Sequence, residues 1–383
     1  MRNVVIIHHE PLTKKIQRNF FIDELISKGV KVYFFDIHRI LFGRIRLADE
    51  IMPDYNFSIQ SMKQALELIK LHRDAFFIVE FNFTVKSIRI LYYLKKYDCL
   101  VSTFGIHTSI NLSLKEKILN FHNYGTNKII PFTRGLFNSI SVRIFKLFFS
   151  IKKIDIAFYC GASSLKMFMN VPIKIPVNSF DFEDFRDSKN QITANELPNK
   201  KYVVFLDQNL PFHPDIAIWG KQNINPDKYF RCLNNLFDKI EESLSLTVVI
   251  ALHPKSEYQS SIFENRATYK YITAELVKNS EFVIAHYSLA ISLAILNNKP
   301  IVFTYISDFY RIGTAMLVLI KKFSAMLDCS LLKIDDDYSF DTIPGYSKEG
   351  YLNYKYSFLT SKSCEDKLNA DIIYNTIKSC DNV

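Results

Sequence analysis

The chain has 383 residues, too many for one ordinary core and suited to two domains of roughly 150 to 200 residues each. With 48% apolar and 23% charged residues it is a folded globular protein, and with only 10 Gly it contains neither G-x-G-x-x-G nor G-x-x-x-x-G-K, which speaks against glycine-rich phosphate loops. The net charge of +9 invites a nucleic-acid partner, but Lys and Arg are spread along the chain and no nucleic-acid reading module is recognisable, so none is expected.

In chain order, Val4 to His8 predicts a first strand, Lys14 to Ser27 an amphipathic helix and Val30 to Phe35 a second strand, a βαβ opening turned by Lys28-Gly29. Ala75 to Phe81 is an apolar run of the kind a buried parallel strand needs, followed by a helix over Val85 to Lys96 and a strand over Cys99 to Thr103. Phe121 to Asn127 is a Gly-containing loop. Arg134 to Lys153 mixes cations with large apolar residues, so that Ile140, Ile144, Leu147 and Phe148 share one helical face. Such a segment either lies on an anionic membrane surface or packs on the N-terminal core. Ile154 to Tyr159 is a strand, and the polar, acidic, proline-marked stretch from 172 to 201 is the best linker.

The second half opens with a strand from Lys201 to Asp207 and a helix from Asp227 to Leu244. Three apolar runs follow, Leu246 to Leu252, Phe282 to Ala285 and Pro300 to Phe303, with a helix from Leu289 to Asn297 between the last two and another over Phe309 to Phe323. The expected domains are therefore residues 1–175, a linker at 176–200, residues 201–330, and a tail at 331–383 that returns to brace the first domain.

Chemistry concentrates at the strand tips, where open α/β sheets bind ligands. His253-Pro254-Lys255 ends one strand, and Pro254 biases His253 towards extended backbone with a cation beside it. His286-Tyr287-Ser288 ends the next, with Ser288 placed as the cap of a helix whose amides suit a phosphate. Either these residues form a one-phosphate site or His253 is an ordinary strand end and Ser288 only a cap. Asp207, followed by Gln208 and Asn209, ends the first strand of this half; it serves chemistry or caps its own loop through the amides of Asn209 or Leu210. On the first-domain side the polar candidates beyond the strands include Glu10, Glu80 and His107; Glu80, a carboxylate at a buried strand end, either takes a hydrogen-bonded structural role, the reading favoured here, or serves chemistry.

His8, His9 and Glu10 alternate faces on a strand and cannot share one metal ion, so no metal site is expected. Six scattered cysteines without a C-x-x-C pair fit reduced thiols. Met1-Arg-Asn runs straight into a strand and no apolar run reaches 18 residues, so a cytoplasmic protein, peripheral on the inner face of the membrane through 134–153, is expected.

Two α/β halves with phosphate-type tips in the second resemble the GT-B glycosyltransferases. More narrowly, His253-Pro254 followed by Ser288 at a helix start is similar to the HP and serine motifs of bacterial transferases that use CMP-activated acidic sugars: sialyltransferases and the related Kdo and nonulosonic-acid transferases. The motifs lie between Tyr202 and Thr304; elsewhere the resemblance is one of architecture. It implies two Rossmann-like domains with a cleft between them, 1–175 on the acceptor side, where Glu10, Glu80, His107 and Asn123 are the candidate acceptor residues, and 201–330 on the nucleotide-sugar side. It further implies a CMP-sugar donor without metal or other cofactor, and a surface glycan such as O-antigen or capsule as acceptor. His253 would meet the donor phosphate, and Ser288, with Gln208, Asn209, Pro254, Lys255, His286 and Tyr287, would hold the donor. The acidic pair before Gly that serves sialyltransferases as base has its comparable place at Asn123-Tyr124-Gly125, without a carboxylate. Asp207 is the replacement, as nucleophile at the anomeric carbon or as base. Two alternatives stand beside this: a GT-B transferase using a UDP- or GDP-sugar, and a non-catalytic scaffold of polysaccharide assembly.

Overall fold

A computed structural model describes residues 2–43, 50–81, 84, 86–105, 153–188, 197–212, 224–254, 256–257, 259–312 and 314–382. They divide into two compact units: the first holds the described residues up to 180 together with 360–382, the second 181–359.

The first unit is built on a seven-stranded, all-parallel sheet: β1 (Val4–His8), β2 (Val32–Asp36), β3 (Asn56–Ser58), β4 (Phe76–Glu80), β5 (Leu100–Gly105), β6 (Ile156–Tyr159) and β7 (Ile173–Pro176), in the order β3-β2-β1-β4-β5-β6-β7. Alternate residues serve opposite faces. Val4, Ile6, Phe34, Phe76 and Ile78 enter one apolar cluster, and Val5, Ile7, Phe35, Phe77 and Val79 enter the other. Both faces are dry, which is why the strands read as unbroken apolar runs. The C-terminal helix Asn369–Ser379 joins the first cluster through Ile373 and Ile377. A buried asparagine pair fixes it: the Asn178 N–H donates to Asn369 Oδ1 at 2.8 Å, and Asn369 Nδ2 donates to the Asn178 carbonyl at 2.8 Å.

The second unit repeats the plan with six parallel strands, β8 (Tyr202–Leu206), β9 (Thr247–Ala251), β10 (Thr268–Tyr269), β11 (Val283–Ala285), β12 (Ile301–Tyr305) and β13 (Ser330–Lys333), ordered β10-β9-β8-β11-β12-β13. Its long helix Pro226–Leu244 starts where Asn225 accepts the Lys228 N–H and Pro226 supplies a pre-set φ. Tyr229, Leu233, Leu236, Phe237 and Ile240 form its buried stripe at helical spacing. Lys228, on the same helix, bridges Asp308 at 3.1 Å and Asp335 at 2.9 Å, tying together the loops beyond β12 and β13.

Several expectations are corrected. The helix expected over Lys14 to Ser27 is two short helices, Lys14–Asn19 and Ile22–Ser27, because Phe21 takes a left-handed backbone, φ 54°. The helix expected over Phe309 to Phe323 is Phe309–Ile312 followed by Thr314–Leu327. The stretch from 172 to 201 carries β7 and a helix, Phe180–Ser188, because Ile173 and Ile175 pair with β6 despite the prolines around them. The segment 134–153 lies outside the described residues except for Lys153. Among the described residues no helix is long and apolar enough to cross a membrane.

Candidate functional site

Each sheet has a switch point where strand order reverses, between β8 and β11 in the second unit and between β1 and β4 in the first. Ligands of open α/β sheets bind beyond the carboxyl ends of such strand pairs.

At the second switch point the backbone leaves β8 through Asp207, Gln208 and Asn209. Asn209 takes a left-handed φ of 52°, a conformation Asn tolerates better than most residues, and this turns the chain back on itself. Asp207 is only 5% exposed. Its Oδ1 accepts the Asn209 N–H at 3.0 Å and its Oδ2 accepts the His253 N–H at 3.1 Å. The carboxylate thus caps its own loop and also fastens the end of β9 to that of β8, the local role rather than the pose of an open nucleophile. Gln208 reaches the other way: its Oε1 accepts the Tyr287 N–H at 2.7 Å, bridging the β8 and β11 tips across the switch point. The half-buried Tyr287 packs its ring on Phe323, and burial raises its hydroxyl above the usual phenol range.

His253 is half-buried at the end of β9, and its carbonyl accepts both the Ser256 N–H at 2.9 Å and the Ser256 hydroxyl at 2.7 Å. That turn leaves Pro254 exposed; Lys255 lies outside the described residues. Register places Leu206 opposite Ala251, so Asp207 and His253 leave neighbouring strand ends.

Two members of the expected donor set are corrected. His286 is fully buried: Nδ1 lies 2.7 Å from the Thr304 carbonyl and Nε2 2.9 Å from the Tyr229 hydroxyl. A carbonyl only accepts, so these partners assign the proton to Nδ1 and leave Nε2 to accept from Tyr229. Burial lowers the ring's pKa to about 4, and Phe205 and Phe309 meet it edge to face. It is a neutral core residue beneath the tip. Ser288 does not cap the following helix, which runs Ile291–Leu296 behind Ala290; its hydroxyl accepts the Ala290 N–H at 3.2 Å in a local turn. Asn209 is 3% exposed.

At the first switch point, register sets His8 of β1 opposite Glu80 of β4. The His9 N–H and its ring Nδ1 both donate to the Glu80 carbonyl, at 3.2 and 2.8 Å. Burial raises the Glu80 carboxyl to about 7, against the lowering effect of the Phe104 N–H. Burial also lowers His8 to about 4, and its Nδ1 accepts the Glu10 N–H at 3.0 Å. Asp36, at the end of β2, accepts the His38 N–H at 2.8 Å, and His38 Nδ1 donates to the His9 carbonyl at 3.3 Å. Sequence reasoning singled out Glu10 and Glu80 but missed Asp36 and His38, whose signal was only their place just after an apolar run. His107 and Asn123 lie outside the described residues. No group of three or more metal-ligating side chains occurs among the described residues.

No protein-family model and no curated protein sequence matches the chain. Among solved structures, Staphylococcus aureus MnaA in complex with UDP aligns over 100% of this chain and 97% of its own, at 13% identity and TM-score 0.51. The UDP-GlcNAc 2-epimerase of Methanocaldococcus jannaschii aligns over 100% of both chains, at 9% identity and TM-score 0.50. With the two sheets in Rossmann order, this similarity shows the fold: a GT-B architecture of two Rossmann-like domains.

Proposed function

We propose that this chain is a glycosyltransferase of GT-B architecture that uses a nucleotide-activated sugar, a UDP-sugar in first place, and passes the sugar to a glycan or glycolipid acceptor of polysaccharide assembly. The observation that carries the reading is the Gln208–Tyr287 bridge at 2.7 Å across the second sheet's switch point, with His253 on the neighbouring strand end. UDP takes precedence over CMP because a structural neighbour holds UDP, and because Ser288, on which the CMP resemblance leaned, spends its hydroxyl on a local turn.

In this reading Gln208, Tyr287, His253, Pro254 and Lys255 hold the donor, and His253 meets its phosphate. Asp207 is a positioning residue that fixes the His253 backbone. Transfer breaks the bond from the anomeric carbon to the phosphate oxygen, whose electron pair leaves with the nucleotide. The acceptor oxygen forms the new bond and gives its proton to a general base, for which Glu80, a carboxyl that burial raises to about 7, is the candidate on the first-domain side. Membrane contact through 134–153 belongs to the same proposal.

Thermal denaturation with UDP, CMP and GDP tests it. A nucleotide at 100 times its Kd stabilises by about 2.7 kcal/mol, and UDP is expected to give the largest shift. Stabilisation by CMP alone returns the donor to the CMP class. No response to any nucleotide returns the chain to the scaffold reading. Product analysis with UDP-sugars separates transfer from epimerisation.

A further inference from the structure

Three of the fourteen large apolar side chains that stand exposed among the described residues fall within seven consecutive positions: Met167 at 63%, Met169 at 66% and Ile173 at 49%. Met167 and Met169 lie in the connection from the short helix Gly161–Leu165 to β7, the outer strand of the first sheet, and Ile173 is the first residue of β7. Lys166 stands exposed in the same connection, Lys174 on β7 itself, and Lys153 just ahead of β6. Since β6 and β7 pair from Ile156 opposite Ile173, Lys153 and Ile173 belong to the same end of that sheet edge. Single exposed apolar residues are ordinary, but a cluster of them on a sheet edge marks a surface that something covers.

Charge indicates what covers it. Although Lys and Arg are spread along the chain, the acids are not. Residues 117–180 contain nine Lys and Arg and a single acid, Asp155. The Asp155 carboxylate is turned into the sheet, accepting the Val101 N–H at 2.8 Å. Cations interleaved with exposed Met and Ile suit a surface that is anionic outside and apolar just beneath.

We propose that Lys153, Lys166, Met167, Met169, Ile173 and Lys174 dock the first domain on an anionic lipid bilayer, the apolar side chains entering the headgroup layer and the lysines meeting lipid phosphates. The surface extends the membrane contact of the proposed function and is independent of the donor's identity.

The full chain is sedimented with vesicles of phosphatidylethanolamine and phosphatidylglycerol, and with vesicles of phosphatidylcholine alone. Wild type is expected to partition onto the anionic vesicles and to leave them as salt rises. Lys166→Glu with Lys174→Glu should lower that partition roughly tenfold or more. Met167→Gln with Met169→Gln should lower it several-fold even at low salt. Arg143→Glu with Lys146→Glu, in the neighbouring basic segment, separates the two contributions and should lower partition in addition to the losses of the surface variants. If this pair loses binding while the surface variants partition like wild type, the proposed surface is overturned and the contact belongs to 134–153. Equal binding to both vesicle types, no binding to either, or tighter binding to duplex DNA overturns it too. Nucleotide-induced stabilisation, measured on the same variants, should equal that of wild type, so failure of the donor reading shows separately.

Discussion

The two sheets share a strand order and finish their switch points differently. In the first, the facing strand ends carry titratable groups displaced by burial, Glu80 upward to about 7 and His8 downward to about 4. In the second, the strand ends are joined by neutral or locally committed groups. Gln208 holds the Tyr287 amide, and Asp207 holds the amides of Asn209 and His253. His286, whose pKa burial lowers to about 4, lies beneath the tip with both ring nitrogens engaged. The contrast separates strand ends whose titratable groups burial displaces in opposite directions from strand ends whose polar groups are committed to holding their own loops.

The largest effect expected from breaking this contrast is at His286. His286→Ala removes a fully buried ring and strands the Tyr229 hydroxyl and the Thr304 carbonyl, so urea unfolding should show a loss of about 3 to 5 kcal/mol. A loss below 1 kcal/mol would mean that the ring is not the core element described.

Glu80 sharpens the other half. Its folded pKa lies above the unfolded carboxyl value, so the folded state holds the extra proton between about pH 4.5 and 7. Stability therefore falls as pH rises through that window, and the penalty is complete above it. Glu80→Gln should leave stability at pH 4.5 nearly unchanged and raise it at pH 8 by up to about 3 kcal/mol, while transfer activity falls. His8 acts with the opposite sign: its folded pKa lies below the unfolded value, so it lowers stability as pH drops from about 6.5 to 4. Asp207→Asn loses the charge that accepts two amides and should cost about 1 to 3 kcal/mol, with nucleotide affinity weakened through the displaced His253 turn. The smallest stability change, within about 0.5 kcal/mol, is expected for His253→Ala, because the residue is half-buried and anchored mainly through its backbone. Its transfer rate should nevertheless fall on the order of 10²-fold, which a donor assay at saturating acceptor would read.

The interior of both sheets was legible in the sequence. Runs such as Val4 to Ile7, Phe76 to Val79, Val203 to Leu206 and Val248 to Ala251 are apolar on both faces because both faces are covered. The strands that escaped were the outermost of each sheet: Asn56–Ser58, Ile173–Pro176, Thr268–Tyr269 and Ser330–Lys333. An edge strand is short and partly wet, so it lacks the unbroken run that announces its neighbours. At the site, the tips themselves were readable as polar residues after apolar runs. Whether a tip residue points into the core or out of it was not, and Ser288 and His286 show why. The helix begins at Ile291 rather than Leu289, and a ring one residue past β11 is still covered by Tyr229 from a helix 57 positions earlier. The Lys228 bridge to Asp308 and Asp335 joins residues too far apart in sequence for any local pattern to reveal.

The central claim is that a nucleotide binds where β8 and β11 diverge. Hydrogen–deuterium exchange of the full chain with and without saturating UDP tests this most directly. The account predicts added protection at 207–210, 253–257 and 286–291, abolished in Gln208→Ala, whose loss of the Tyr287 contact should itself cost only about 1 kcal/mol. Protection confined to other segments, or unchanged in Gln208→Ala, would contradict it.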